Sequence, residues 1–264
     1  HARDEAALDF GAAADHSEYF TDNEWSWMRD MTNTFNCPGT FVTLNGYEWS
    51  GREGHRNIYT SERDLLVFRG RADKKGSISV VWNAFHGNEK CAGASHAPLA
   101  HGIVWENHDP DVERFIEVYS VWGASDSRSN PLVPQNARKN ASGMTVHEIL
   151  ASGARLGFTG GGDCHEGRIG LTTDIPGGQG MISHGLSPNH THRSGLTGAL
   201  LPRLDRLELI RALRERRTYA TTGARILLTF NIKNSDGVIE GKACVHAVNP
   251  LLCVDVIKNG NSWL

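Results

Sequence analysis

The stretch Arg155-Leu-Gly-Phe-Thr-Gly-Gly-Gly-Asp163-Cys-His165-Glu-Gly-Arg168 constrains the fold more than any other part of the chain. An apolar run reads as a buried strand over 156–160 and stops at three glycines. In an extended backbone, side chains at i and i+2 point the same way. Asp163 and His165 are therefore expected to aim at one point, and the glycines permit close approach to the backbone. A carboxylate and an imidazole at a strand exit suit metal ligation or acid–base chemistry, and the rest of the chain must decide between them.

The surrounding pattern predicts alternating helices and strands. Thr21 and Glu24 have capping-box spacing and open a helix carrying Trp25, Met28 and Met31 on one face. A strand over 40–47 ends at Glu48, and a shorter one spans 54–59. Residues 76–90 read as helical, 91–110 as a loop-rich stretch with His96, His101 and His108, and 115–120 as a strand containing Glu117. A polar loop over 124–143 precedes a helix over 145–152. A second long loop, 174–195, carries His184, His190 and His192. Leu204, Leu207, Ile210 and Leu213 give an amphipathic helix. After Gly223 the alternation Ile226, Leu228, Phe230, Ile232 changes the period to that of a strand.

This order predicts an α/β domain over 1–225, built on a mainly parallel sheet, and a β-rich segment over 226–264. In such folds reactive groups sit at the carboxyl ends of strands. Asp15, His16, Glu48, Glu117, Asp163 and His165 all fall there in this reading.

Composition narrows the function. A net charge of −3 over 264 residues gives no basic field for nucleic acid and no polybasic membrane patch. No apolar run approaches the roughly 18 residues of a membrane span. Histidine, at 13 residues, is over-represented, as a metal site would require. The five cysteines form no C-x-x-C pair and leave the redox compartment open, with a periplasmic or secreted location favoured over a cytoplasmic one. The sequence around His1 lacks an N-cap, and the chain stops after an Asn-Gly turn signal. Both ends read as cuts through a longer protein. Imidazole and carboxylate ligands together suit Zn, Mn or Fe.

Asp15-His16 after a small-residue strand, Glu48 within Gly-Tyr-Glu-Trp-Ser, and Gly-His-Arg-Asn at 54–57 form a combination that resembles the PHP (polymerase and histidinol phosphatase) superfamily of bacterial metal-dependent hydrolases. So do Glu117-Val-Tyr-Ser-Val-Trp-Gly and the Gly-Gly-Asp163-Cys-His165 segment. The similarity is greatest to a large bacterial branch labelled a domain of unknown function. It implies a distorted (β/α)7 barrel with a short β-rich C-terminal extension and two or three divalent ions. Carried over by position, Asp15, His16, Glu48, His55, His96, Asp163 and His165 would be metal ligands, with Glu48 bridging. The superfamily's opening His-x-His motif is absent, and Ser95 stands where the first histidine of its Pro-His-His stretch belongs.

From these residues a phosphoesterase is expected. A metal held by Glu48 and Asp163 would lower the pKa of a bound water to about 7 and generate hydroxide. Arg168 and Arg56 would clamp an anionic substrate, and His190 and His192 would contact it from the long loop. Two alternatives remain open. One is a sulfate-ester or carbohydrate-directed hydrolase on the same ions, since seven tryptophans permit glycan stacking. The other is a non-catalytic metal-binding module. The expected partner is a small anionic or glycan-type substrate, with no nucleic acid and no membrane, and the oligomeric state is open.

Overall fold

The computed structural model describes residues 1–70, 76–134, 143–165, 167–170, 192–236 and 238–263. Its centre is a curled mixed sheet that forms half a barrel. The strands of this sheet are β1 (Phe10–Ala12), β2 (Val42–Gly51), β3 (Gly54–Thr60), β4 (Cys91–His96), β5 (Glu113–Ser120), β6 (Gly123–Ala124) and β7 (Gly157–Gly160). β1 runs parallel to β2, β3 lies antiparallel between β2 and β4, and β5 is parallel to both β4 and β7.

This corrects the expected (β/α)7 barrel and the mainly parallel sheet. A barrel of that kind needs a crossover helix between successive strands. Here β2 turns back into β3 within two residues, at Arg52 and Glu53. Gly54 makes the turn possible, because its φ of +90° is a left-handed conformation and a Cβ there would sit 2.7 Å from Ile103 Cδ1. β3 then pairs antiparallel with β4, so three central strands form a meander.

Helices lie between several of the strands in sequence, as between β1 and β2 and between β3 and β4, but none separates β2 from β3. They are α1 (Asp22–Phe35), α2 (Ile78–Phe85), α3 (Pro98–His101), α4 (Val146–Ala151) and α5 (Arg206–Arg214). Thr21 and Glu24 form the predicted capping box, and Thr145 and Glu148 form a second at α4. Alternation along β2 divides the sheet into two faces. Tyr47 and Trp49 point to the convex side, where Trp25 of α1 and Ile78, Trp82 and Phe85 of α2 cover them together with Ile58. Val42 and Leu44 point to the concave side and join Ala94 and Phe115. Leu209 and Leu213 of α5 pack there and floor one end of the half-barrel. Glu48 and Ser50 continue the concave row toward the other end.

Beyond the half-barrel, β8 (Leu196–Ala199) and β9 (Thr218–Thr221) form a small antiparallel pair. β10 (Ile226–Ser235) and β11 (Val238–Ala247) form a long ribbon, and β12 (Ile257–Lys258) with β13 (Asn261–Ser262) a short hairpin. Among the described residues no helix is long and apolar enough to cross a membrane.

Candidate metal centre

The open end of the concave face gathers six side chains into two triads. His16, Glu48 and His55 form one, and His96, His101 and Asp163 the other, each with ligand atoms within 4.8 Å of one another. Backbone pairing sets both. After β1 the chain rejoins β2: Glu48 donates its N–H to the Asp15 carbonyl at 2.9 Å, and Ser17 donates to the Glu48 carbonyl at 2.8 Å. This holds His16 beside Glu48, with the two nearest side-chain atoms 3.6 Å apart. Across the meander, His55 and His96 are register partners.

His101 arrives by a local turn. Ala97 adopts φ +38°, Pro98 opens the single turn of α3, and the His101 N–H bonds back to the Ala97 carbonyl at 3.0 Å. Its ring stacks on His55 with centroids 3.9 Å apart and lies 5.3 Å from that of His96.

Glu48 joins the triads. One carboxylate oxygen contacts His55 Nδ1 and the other lies 3.8 Å from His96 Nε2. His96 Nε2 is also 3.2 Å from Asp163 Oδ2, and His96 Nδ1 is 3.1 Å from Glu117 Oε1. These last two atoms are buried and meet out of line, so neither has a hydrogen-bond partner. Both oxygens of buried Glu18, 3.4 Å from His16 Nδ1 at their nearest, are orphaned in the same way. Converging imidazole and carboxylate atoms that do not satisfy one another are what a divalent cation satisfies. The mixed imidazole and carboxylate donor set therefore fits ions such as Zn or Mn.

Electrostatics agree with an anionic pocket. Burial pulls the His96 pKa down, yet Glu117, Glu48 and Asp163 outweigh it and hold the group well above 6.5. Burial would raise Asp163, but His96 brings it down to about 2. Glu117 is raised because burial outweighs its attraction to His96. His101 falls well below 6.5 through burial and the neighbouring His55 and His96.

Several expectations need correcting. Asp15 is exposed and contributes its backbone carbonyl, while its carboxylate belongs to neither triad. His165 is exposed and outside both triads. The i,i+2 argument fails because the strand ends at Gly160 and Asp163 sits at φ +45°, which breaks the extended alternation. Arg56 is no substrate clamp. It is fully buried on the convex side, 2.8 Å from Glu113 Oε1, and donates to the carbonyls of Glu53 and Val104. Arg168 is exposed. His192 lies near Tyr119, with ring centroids 6.4 Å apart, and His190 lies outside the described residues, as does the loop over 171–191. Sequence reasoning missed His101 as a candidate ligand and Glu18 as a neighbour of His16. The signal for His101 was the proline at 98, which starts a turn that returns the chain toward His96.

Comparison with known proteins adds a family of undetermined role. The match is to DUF3604. That model, described as a protein of unknown function, covers residues 2–102 and so includes five of the six triad residues. An uncharacterized protein of Chlamydia pneumoniae is 29% identical over 242 residues, covering 88% of this chain and 37% of the relative. An uncharacterized protein of Chlamydia trachomatis serovar D is 25% identical over 264 residues, covering 96% of this chain and 40% of the relative. The chain thus spans about two fifths of the length of these relatives. No solved structure matches. The resemblance to the PHP superfamily is not upheld: the match is to a family without assigned function, and the meander replaces the barrel on which the resemblance depended.

Proposed function

We propose that the chain carries the two-ion centre of a metal-dependent hydrolase acting on ester bonds, with phosphoric esters as the favoured class. The observation behind this reading is the bridge. Glu48 lies against histidines of both triads, so the same carboxylate would help to hold an ion at either. Divalent ions held there supply Lewis acidity and positive charge for a tetrahedral oxyanion.

The chain's own residues would divide the work. His16 and His55 hold one ion, and His96, His101 and Asp163 hold the other. Glu117 belongs to neither triad and has a raised pKa, which suits its Oε1 to take a proton from an attacking water. Exposed Arg168, five residues after Asp163 in sequence, would supply the positive charge that meets the anion.

The direct test removes metal with a chelator and restores Mn or Zn while hydrolysis of phosphate, sulfate and glycoside substrates is followed. Phosphoesterase activity that disappears and returns with the ion is the expected result. Activity indifferent to complete metal removal would sink the proposal. Turnover confined to sulfate esters or glycosides would move it to another substrate class.

A further inference from the structure

Next to the candidate metal centre the concave face holds a half-open cavity of about 390 Å³. This lies within the range of small-molecule pockets, roughly 300–1,000 Å³. Register explains its position. Asn57 pairs with Ala94, and Ala94 with Phe115, two residues along the strands from the His55–His96 pair and on the same face. Leu44, Tyr59, Phe115 and Leu209 give it apolar walls. The rings of Tyr59 and Phe115 lie 6.2 Å apart at an angle of 26°, an aromatic surface spanning β3 to β5 across β4. The cavity does not contain the triads; it adjoins them through Glu117, which lines it and also faces His96.

Its polar end is unsatisfied. Asn57 Oδ1 is a buried acceptor without a hydrogen-bond partner, in a residue only 7% exposed. Buried acceptors of this kind require a donor. The walls ask for a flat apolar group, and the metal end asks for a hydroxyl or amide on it.

Resting on the hydrolase reading, we infer that this cavity seats the organic part of the substrate, and that the substrate is an aryl ester: a phosphorylated phenol with a further donor on its ring. Hydrolysis breaks the phosphorus–oxygen bond. Water gives its hydroxyl to phosphorus and its proton to the departing phenol, which remains in the cavity as product.

Product binding tests this without turnover. Calorimetry would titrate 4-nitrophenol and catechol (benzene-1,2-diol) into the metal-loaded full chain, with glycerol as the non-aromatic control. Saturable binding of both phenols and none of glycerol is expected, with catechol favoured by its second donor. Ala94→Met should fill the cavity and weaken phenol binding at least tenfold while metal content is retained. Asn57→Ala should remove the preference for catechol. Absence of saturable phenol binding to the unsubstituted chain overturns the inference, whether or not the variants fold. So does phenol binding indifferent to Ala94→Met in a folded variant. Failure of the hydrolase reading shows separately, as phenol binding without metal-dependent turnover of any ester.

Discussion

Glu48 concentrates the chemistry of the site in one side chain. It is buried, it stands in the middle of a central strand, and its two oxygens face different histidines. Glu48→Gln keeps the shape but removes the charge that both triads share. Metal content measured by mass spectrometry should fall by at least one ion per chain, whereas Asp15→Asn should leave it unchanged. Equal losses in the two variants would refute the assignment of Asp15 to the backbone alone. Individual residues were unevenly legible in the sequence. His16, Glu48 and Asp163 could be named from their expected places at strand exits, whereas His55 and His96 entered only through the family resemblance. His101 was hidden, because its recruitment depends on a left-handed Ala97 and one helical turn. Arg56 misled for the opposite reason: its neighbour His55 faces the site, and strand alternation sends Arg56 to the other side.

The same alternation gives the β3–β4 pair a second, hidden network. Arg56, Ser95 and Glu113 meet behind the ligands, with His108 Nδ1 2.9 Å from Glu113. Arg56 and Ser95 are register partners adjacent to His55 and His96, so the network fixes the strands that present two ligands. Removing one partner of a buried ion pair leaves the other charged and alone, at a cost of about 3–5 kcal/mol. Glu113→Ala should lose stability of this order in urea unfolding; a loss below about 1 kcal/mol would show the pair to be dispensable. The pH dependence has a definite sign. Burial would raise the Glu113 pKa, but Arg56 and His108 outweigh it and hold the folded value below 4.5. The stabilisation is therefore complete above pH 4.5 and is lost as pH falls through the lower folded value. Glu113→Gln should flatten that part of the acid unfolding curve. At this scale the sequence showed the caps and several strands, but it read β4 (Cys91–His96) as loop and did not show how strands pair. Gly51 and Gly54 bracketing two residues were a hairpin signal, yet the helix–strand alternation elsewhere favoured a crossover.

For the molecule as a whole, stability is unevenly distributed. The central meander is buried on both faces, whereas the β10–β11 ribbon stands as an isolated pair with Phe230, Ile232 and Ile239 exposed along one side. Two-stranded ribbons are marginal in water by themselves. Amide hydrogen exchange should therefore be fast over β10 and β11 and slow over β2, β3 and β4, by several orders of magnitude. Uniform protection would mean that the ribbon shares the stability of the sheet. The alternation of Ile226, Leu228, Phe230 and Ile232 announced this ribbon plainly. The half-barrel was not legible, since closure depends on long-range pairing that no local pattern encodes.

The shared position of Glu117 has a thermodynamic consequence. One carboxylate forms part of the boundary of two compartments, so occupancy of either alters the free energy of the other. By linkage, whatever factor bound ions impose on affinity in the cavity, a cavity ligand must impose on affinity for the ions. Under the proposed function, ion binding and cavity binding are thus coupled reciprocally through one side chain.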